Sequence, residues 1–449
     1  MPALLTDWRH RPTHHKVWAL AAPMILSNIS VPLVALVDST VIGHLPHAHQ
    51  LGSVAVGASL YTLLVAVLGF LRMGSTGFAA QAAGRADGDG LRQVLVQGLS
   101  LALLFALLLG LLAIPLSHVA LGLMQPGAEL AQGTRDFFTT RLLGLPAALA
   151  TYALVGWFLG TQNARAPLAI LLTTNLLNIV LNLWFVLGLD WGVVGSARAS
   201  VIAEWVAALL GLALTRPSLR AYPGQVIWAA LARWQNWRPM LSVNRDIFIR
   251  SLALQGVFFL ITVQGARMGE ATVAANALLL NGLLLTAYAL DGLAHAVEAL
   301  CGHAIGAGDR DALRRSLTVA SGWSLIASLG FAVLFLFGGH LFIAMQTDIP
   351  SVRETAFEYL PYLALLPLIA VWSYVLDGLF IGATRAREMR DAMLLSVLIA
   401  LPFAWLARDL GNHGLWLAFL LFMAVRGVTL GVIGWRLQRR GGWFAQVVN

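Results

Sequence analysis

Between residues 17 and 436 the chain is a succession of apolar runs, each long enough to cross a bilayer as a helix, and this leaves few folds open. A crossing helix needs about 20 apolar residues, because each residue rises about 1.5 Å through a hydrocarbon layer of roughly 30 Å. The runs fall near 17–45, 53–80, 93–124, 133–160, 166–187, 193–215, 246–268, 271–300, 313–345, 355–382, 389–407 and 412–436. Twelve transmembrane helices in an all-α polytopic membrane protein are therefore expected. Only 11% of the residues are charged, where soluble domains carry about 25%. A membrane β-barrel would alternate apolar and polar residues over strands of about ten, and these runs do not alternate.

The net charge of +8 comes almost entirely from arginine, with Lys16 the sole lysine. In a soluble chain that balance would suggest nucleic acid. Here the arginines stand in short connections, where they set topology and meet anionic headgroups. Arg85 and Arg92, Arg165, the 216–250 segment, Arg310 to Arg315, Arg385 to Arg390 and Arg436 to Arg440 fall on one side. The alternate connections 46–52 and 188–192 hold no Lys or Arg, and Arg135, Arg267, Arg353 and Arg408 are thin exceptions. Both termini are then expected in the cytoplasm. The first run is too long for a cleavable signal peptide.

The chain also repeats itself. Gly84, Leu91 and Arg92 recur as Gly306, Leu313 and Arg314, each 222 positions later. At the same offset Gly156, Phe158, Gly160 and Arg165 recur as Gly378, Phe380, Gly382 and Arg387, and Gly192 recurs as Gly414. Six spans per half is an even number, so the halves are parallel repeats about an axis along the membrane normal. The expected organisation is an N-terminal lobe (1–215), a cytoplasmic amphipathic linker (216–245) and a C-terminal lobe (246–449), two six-helix lobes with a cleft between them. The linker core, VIWAALARWQNW, suits a helix lying in the interface plane. The GxxxG pairs at Gly156/Gly160 and Gly378/Gly382 suit close helix packing.

Against this apolar background a few polar groups stand out. Asp38 lies inside the first run, six residues after Pro32. An ionised carboxylate loses its water there, so such a group can hold a proton near neutral pH. Proline removes a backbone hydrogen bond near Asn28 and bends the helix. A proton-holding group beside a bend is what a proton-driven switch requires. Shifted by 219 to 222 positions, Asp38 meets only the apolar stretch Val257 to Leu260, so the N-terminal half owns this acid alone. In the fifth span Asn175, Asn178 and Asn182 share one helical face, and Asn178 and Asn182 lie near mid-membrane or beyond, where they could share one polar cluster with Asp38. An amide can donate to a carboxylate or accept from a carboxylic acid. Glu204 either joins this cluster or pairs with Arg198. In the C-terminal half Asp291, Glu298 and Asp377 lie toward the cytoplasmic side, with Arg385 close to Asp377 in sequence. Gln255 and Gln264 are candidate cleft groups, and His295 and His303 are candidate titrating groups.

Other chemistries find no support. The single cysteine, Cys301, leaves no internal disulfide or cysteine-based metal site. The loops GRADGDG and AIGAGDRDA lack the lysine of a phosphate loop, and no zinc spacing or nucleophile elbow is present. No cofactor, metal or catalytic residue is expected, so an ion gradient must supply the work.

Five stretches together resemble the multidrug and toxic compound extrusion (MATE) transporters, specifically their DinF-type branch. They are VDSTVIGHL (37–45), GWFLGTQNARAPL (156–168), NIVLNLWFVLGLDWGVVGSARASVIAE (178–204), LDGLAHAVEALCGHAIGAGDR (290–310) and DGLFIGATRAREMRDAM (377–393). The resemblance covers essentially the whole chain. It implies twelve helices in a V-shaped pair of lobes and cation-coupled export of drugs or toxic metabolites from the cytoplasmic (inner) membrane. It also implies that Asp38 matches the family's first-helix aspartate and Asn178 the asparagine accompanying it. The chain departs from the pattern at Asn182, where many DinF-type members carry aspartate, and Asp377 does not match the C-lobe cation site of the NorM-like branch. A proton-coupled antiporter for a small amphipathic substrate, with protons favoured over sodium and a monomer as the simplest form, is the leading expectation. The alternatives are a lipid or lipid-linked flippase of the same superfamily, and an intramembrane aspartyl enzyme using Asp291 and Asp377.

Overall fold

The computed structural model describes residues 6–43 and 47–444, so positions 44 and 45 of the first expected span lie outside the described residues. All regular structure among the described residues is helical. In hydrocarbon every backbone polar group must be satisfied internally, and a helix does this within one segment. The long helices are α1 (Arg11–Gly43), α2 (Ala48–Ala66), α3 (Phe70–Gly84), α4 (Gly88–Met124), α5 (Ala128–Leu142), α6 (Leu145–Gly160) and α7 (Arg165–Asn182). They continue as α8 (Gly192–Arg220), α9 (Arg238–Arg267), α10 (Glu270–Gly306), α11 (Arg310–Ala344), α12 (Pro350–Gly382), α13 (Ala386–Leu406) and α14 (Asn412–Arg439).

A 3-10 turn, Val67–Gly69, joins α2 to α3 within one span. Helices α5 and α6 meet at 47°. Among the described residues eleven helices are long and apolar enough to cross a membrane, and counting the bent pair α5–α6 as one further span gives twelve. The break follows from Gly144 and Pro146: the proline has no N–H to continue α5, and at the start of α6 none is needed.

The internal repeat is written into the backbone. Helices α3 and α10 end at Gly84 and Gly306, α6 and α12 end at Gly160 and Gly382, and α4 and α11 begin at Gly88 and Arg310, each pair 222 residues apart. The caps repeat as well: Asp87 accepts from Gly90 N and Asp309 from Ala312 N, both at 2.8 Å. An acidic side chain here satisfies a free N–H and meets the positive helix end.

By its contacts the chain forms two compact units, Leu26–Met240, and Met1–Ile25 with Leu241–Asn449. In the first, Trp157, Phe158, Leu149 and Leu154 of α6 are fully buried. A Cβ at Gly156 would stand 2.2 Å from the Arg72 carbonyl oxygen, so α6 and α3 touch backbone to backbone. In the second, a Cβ at Gly378 would stand 2.7 Å from the Ala294 carbonyl oxygen, 222 positions on, and α12 packs on α10 in the same way. Between lipid-like surfaces such close approach supplies the attraction that the hydrophobic effect does not. Leu363 of α12 is buried in one core with Phe335, Trp416 and Phe422. Residues 6–25 join this unit through Asp7, 2.7 Å from Arg314, and through His14 Nδ1, which accepts from Trp323 Nε1 at 2.9 Å.

The segment before α9 departs from expectation. Instead of one interfacial helix it contains a single α-turn, Trp228–Leu231, and a 3-10 turn, Trp234–Asn236. Side chains end the helix early: Asn236 Nδ2 donates to the Ala230 carbonyl at 2.7 Å and Trp237 Nε1 to the Leu231 carbonyl at 2.8 Å. These bonds take carbonyls that a continuing helix would use. The segment is tied to α4, where Gln97 Nε2 donates to the Asn236 carbonyl and Arg92 Nη1 to the Tyr222 carbonyl.

Candidate functional site

Three polar contacts cross the interior of the N-terminal unit, all from one face of α7. Asn175 Nδ2 donates to Ser30 Oγ on α1 at 2.6 Å. Asn178 Nδ2 donates to Ser200 Oγ on α8 at 2.8 Å. Asn182 Nδ2 donates to Asp38 Oδ1 on α1 at 2.6 Å. Positions i, i+3 and i+7 of a helix share a stripe, which is why one helix serves three partners. The structure thus brings Asp38 and Asn182 together, while Asn178 engages Ser200 instead of the acid. Asn178 and Asn182 are buried, and the Oδ1 atom of each has no hydrogen-bond partner. Asp38 is half-buried and meets no cation within ion-pair distance among the described residues. Pro32 is exposed on the same helix.

Directly after Asn182 the chain leaves α-helical geometry for a π-helical stretch, Leu183–Gly188. Such stretches recur at functional sites because they re-aim side chains within a helix. Nothing in the periodicity of the fifth span signalled it.

Glu204 pairs with Arg141 of α5 and not with Arg198, correcting one of the two expectations for it. Arg141 Nη1 and Nη2 donate to Glu204 Oε2 and Oε1 at 3.0 and 2.9 Å. Arg198 instead lies over the Trp191 ring, 5.2 Å from its centroid. The break at Gly144 makes room for the acid, since a Cβ there would stand 2.1 Å from Glu204 Oε2. Arg141 also covers the Tyr61 ring at 4.0 Å. Sequence reading missed this arginine. An ionisable residue within a span was the available signal.

In the C-terminal unit Asp377 is buried between Arg250 of α9 and Arg426 of α14 and ion-pairs with both. Arg385, its neighbour in sequence, binds Glu388 instead. An aspartyl dyad requires a proton shared between two carboxyl groups, and the two guanidinium groups on Asp377 are the wrong surroundings for one. Glu298 is buried, and Asp291 offers its backbone carbonyl to His295 Nδ1. Gln255 is exposed, whereas Gln264 lines a cavity of about 400 Å³. No group of three or more His, Cys, Asp or Glu side chains among the described residues is arranged to hold a metal ion.

The MatE family model matches residues 23–184 and again 247–406. The chain is 45% identical to DNA damage-inducible protein F of Escherichia coli (strain K12) over 436 residues, 96% of this chain and 94% of that one. It is 26% identical to multidrug resistance protein PmpM of Pseudomonas aeruginosa over 95% of this chain and 90% of that one. Among solved structures, a MATE in the bent conformation superposes with a TM-score of 0.87 at 17% identity, covering all of both chains. An outward-facing MATE family transporter of the MOP superfamily superposes with a TM-score of 0.83 at 18% identity, covering 96% of each.

Proposed function

Because the chain belongs to the MatE family, and is a multi-pass membrane transporter and not an enzyme, we propose that it is a proton-coupled antiporter. On this reading it exports small amphipathic drugs or toxic metabolites across the cytoplasmic membrane by alternating access, with both termini in the cytoplasm. The carrying observation is the Asp38–Asn182 contact. The amide has a donor in use and an acceptor, Oδ1, without a partner. With Asp38 ionised, Asn182 Nδ2–H donates to the carboxylate. With Asp38 protonated, the acid O–H donates to Oδ1 once the amide turns over. One side chain therefore serves both protonation states. Coupling follows if the two arrangements suit different stages of the substrate cycle.

Arg141 and Glu204 support this cycle without taking part in proton exchange. Their two-pronged pair commits the Arg141 guanidinium to Glu204. Asp38 thus remains free of a cation that would hold it in one form. In the C-terminal unit the ion-paired Asp377 lacks this freedom, which favours the N-terminal acid as the coupling group.

The test is efflux of a fluorescent amphiphile from proteoliposomes under separately imposed gradients. A proton gradient alone should drive export, and a sodium gradient alone should not. Export driven by sodium without a proton gradient would overturn the reading.

A further inference from the structure

The cavity in the C-terminal unit occupies the positions that correspond, through the repeat, to the polar cluster of the N-terminal unit. At the 222-residue offset Asn175 becomes Val397, Asn178 becomes Ala400, Asn182 becomes Ala404 and Ser200 becomes Phe422, and all four line the cavity. Asp38 becomes Leu260, which also lines it, as does the neighbouring Val257. One copy of the repeat has amides, a hydroxyl and an acid at these places. The other has apolar side chains around an opening of about 400 Å³.

The volume of this cavity lies within the range of about 300–1,000 Å³ typical of small-molecule sites. No carboxylate lines it. Polar lining is confined to Gln264 near the end of α9 and Arg408 just beyond α13. The Arg408 guanidinium sits 5.0 Å from the Trp405 ring centroid, and Trp405 lines the cavity too. The pairing of Arg408 with Asp409 is loose, 3.7 Å between side chains that are 64% and 91% exposed. Such a surface pair holds its arginine weakly, which leaves the charge available to a ligand.

We propose that this cavity is a binding site for one amphiphile with an anionic head: an apolar body between α9, α13 and α14, and a carboxylate, sulfonate or phosphate at Arg408. The same chemistry has two sources, a lipid of the surrounding bilayer or a transported compound. The site lies wholly within the C-terminal unit, and its occupancy does not depend on proton coupling at Asp38.

Binding is read with bromododecanoate added to the protein in phosphatidylcholine nanodiscs, with no gradient imposed. Bromine quenches tryptophan on contact, so saturable quenching that disappears in Trp405→Phe reports occupancy of this cavity. Arg408→Gln should weaken binding about tenfold or more, the loss expected when a charge-assisted bond is removed. Ala400→Phe should abolish it by filling the space. Uncharged bromododecanol and cationic bromododecylamine should bind about tenfold more weakly than the carboxylate. Arg408 is an exposed connection residue, so its variant keeps the test valid should Ala400→Phe fail to fold. Equal binding of the carboxylate to Arg408→Gln, or a preference for the amine, overturns the proposal. Competition by phosphatidylglycerol built into the discs assigns the site to bilayer lipid. Undiminished binding in such discs, with export of the carboxylate from loaded vesicles, assigns it to cargo.

Discussion

Asn182 donates to Asp38 across 2.6 Å from a fully buried position, and the oxygen of the same amide has no partner. An amide used on one side only is costly inside a bilayer unless the unused side is needed at another moment. Asn182→Leu removes both halves of the exchange and keeps an apolar helix. Efflux should fall about tenfold or more, in line with losing a bond to a charged group, while the melting temperature in detergent shifts by only a few degrees. Full efflux in this variant would show that Asp38 switches without the amide.

Arg141 and Glu204 are coupled partners, so their substitutions should not add. Removing either alone leaves an unpaired charge in the interior, at a cost of about 3–5 kcal/mol. The double variant Arg141→Met with Glu204→Leu should therefore melt at a higher temperature than either single variant. Additive losses in this double-mutant cycle would mean that the ion pair is not the stabilising relationship.

Asp377 and Asp38 should respond in opposite ways to neutralisation. Asp377→Ala strands Arg250 and Arg426 without their shared anion and should lower thermal stability by several degrees or prevent folding. Asp38→Asn removes no ion pair and should leave the melting temperature close to that of the parent while abolishing coupled efflux. Equal melting temperatures for Asp377→Ala and the parent would contradict the assignment of Asp377 to structure.

The paired glycines predict equal sensitivity in both halves. Gly156→Leu and Gly378→Leu each place carbon within 2.2 and 2.7 Å of a carbonyl oxygen on the facing helix. Both should reduce the yield of folded protein, measured as the monodisperse fraction after extraction. Tolerance of one and not the other would mean that the repeat is preserved in backbone but not in packing.

Much of the fold was legible because a bilayer constrains so strongly. Length and apolarity identified the spans, and the 222-residue recurrence of Gly84, Gly160 and their partners reappears as matching helix ends and caps. The stripe of amides on α7 was visible for the same reason, since helical periodicity states which residues share a face. What periodicity cannot state is which distant helix that face meets. Asn178 finds Ser200 on α8, and Glu204 finds Arg141, 63 residues away at the end of α5 beside the Gly144 bend. Asp377 reaches Arg250 and Arg426 across 127 and 49 residues while ignoring Arg385 nearby. The segment before α9 was misread because its side-chain bonds to Ala230 and Leu231 compete with the helix its composition favours.

The central claim, that Asp38 exchanges a proton as cargo moves, is tested most directly by following protons and substrate in the same vesicles. Proteoliposomes loaded with a pH-sensitive dye should show proton movement on addition of substrate with the parent protein. Asp38→Asn, folded and still binding substrate, should show none at any pH near neutrality. Substrate-dependent proton movement at the parental rate in Asp38→Asn would contradict the account.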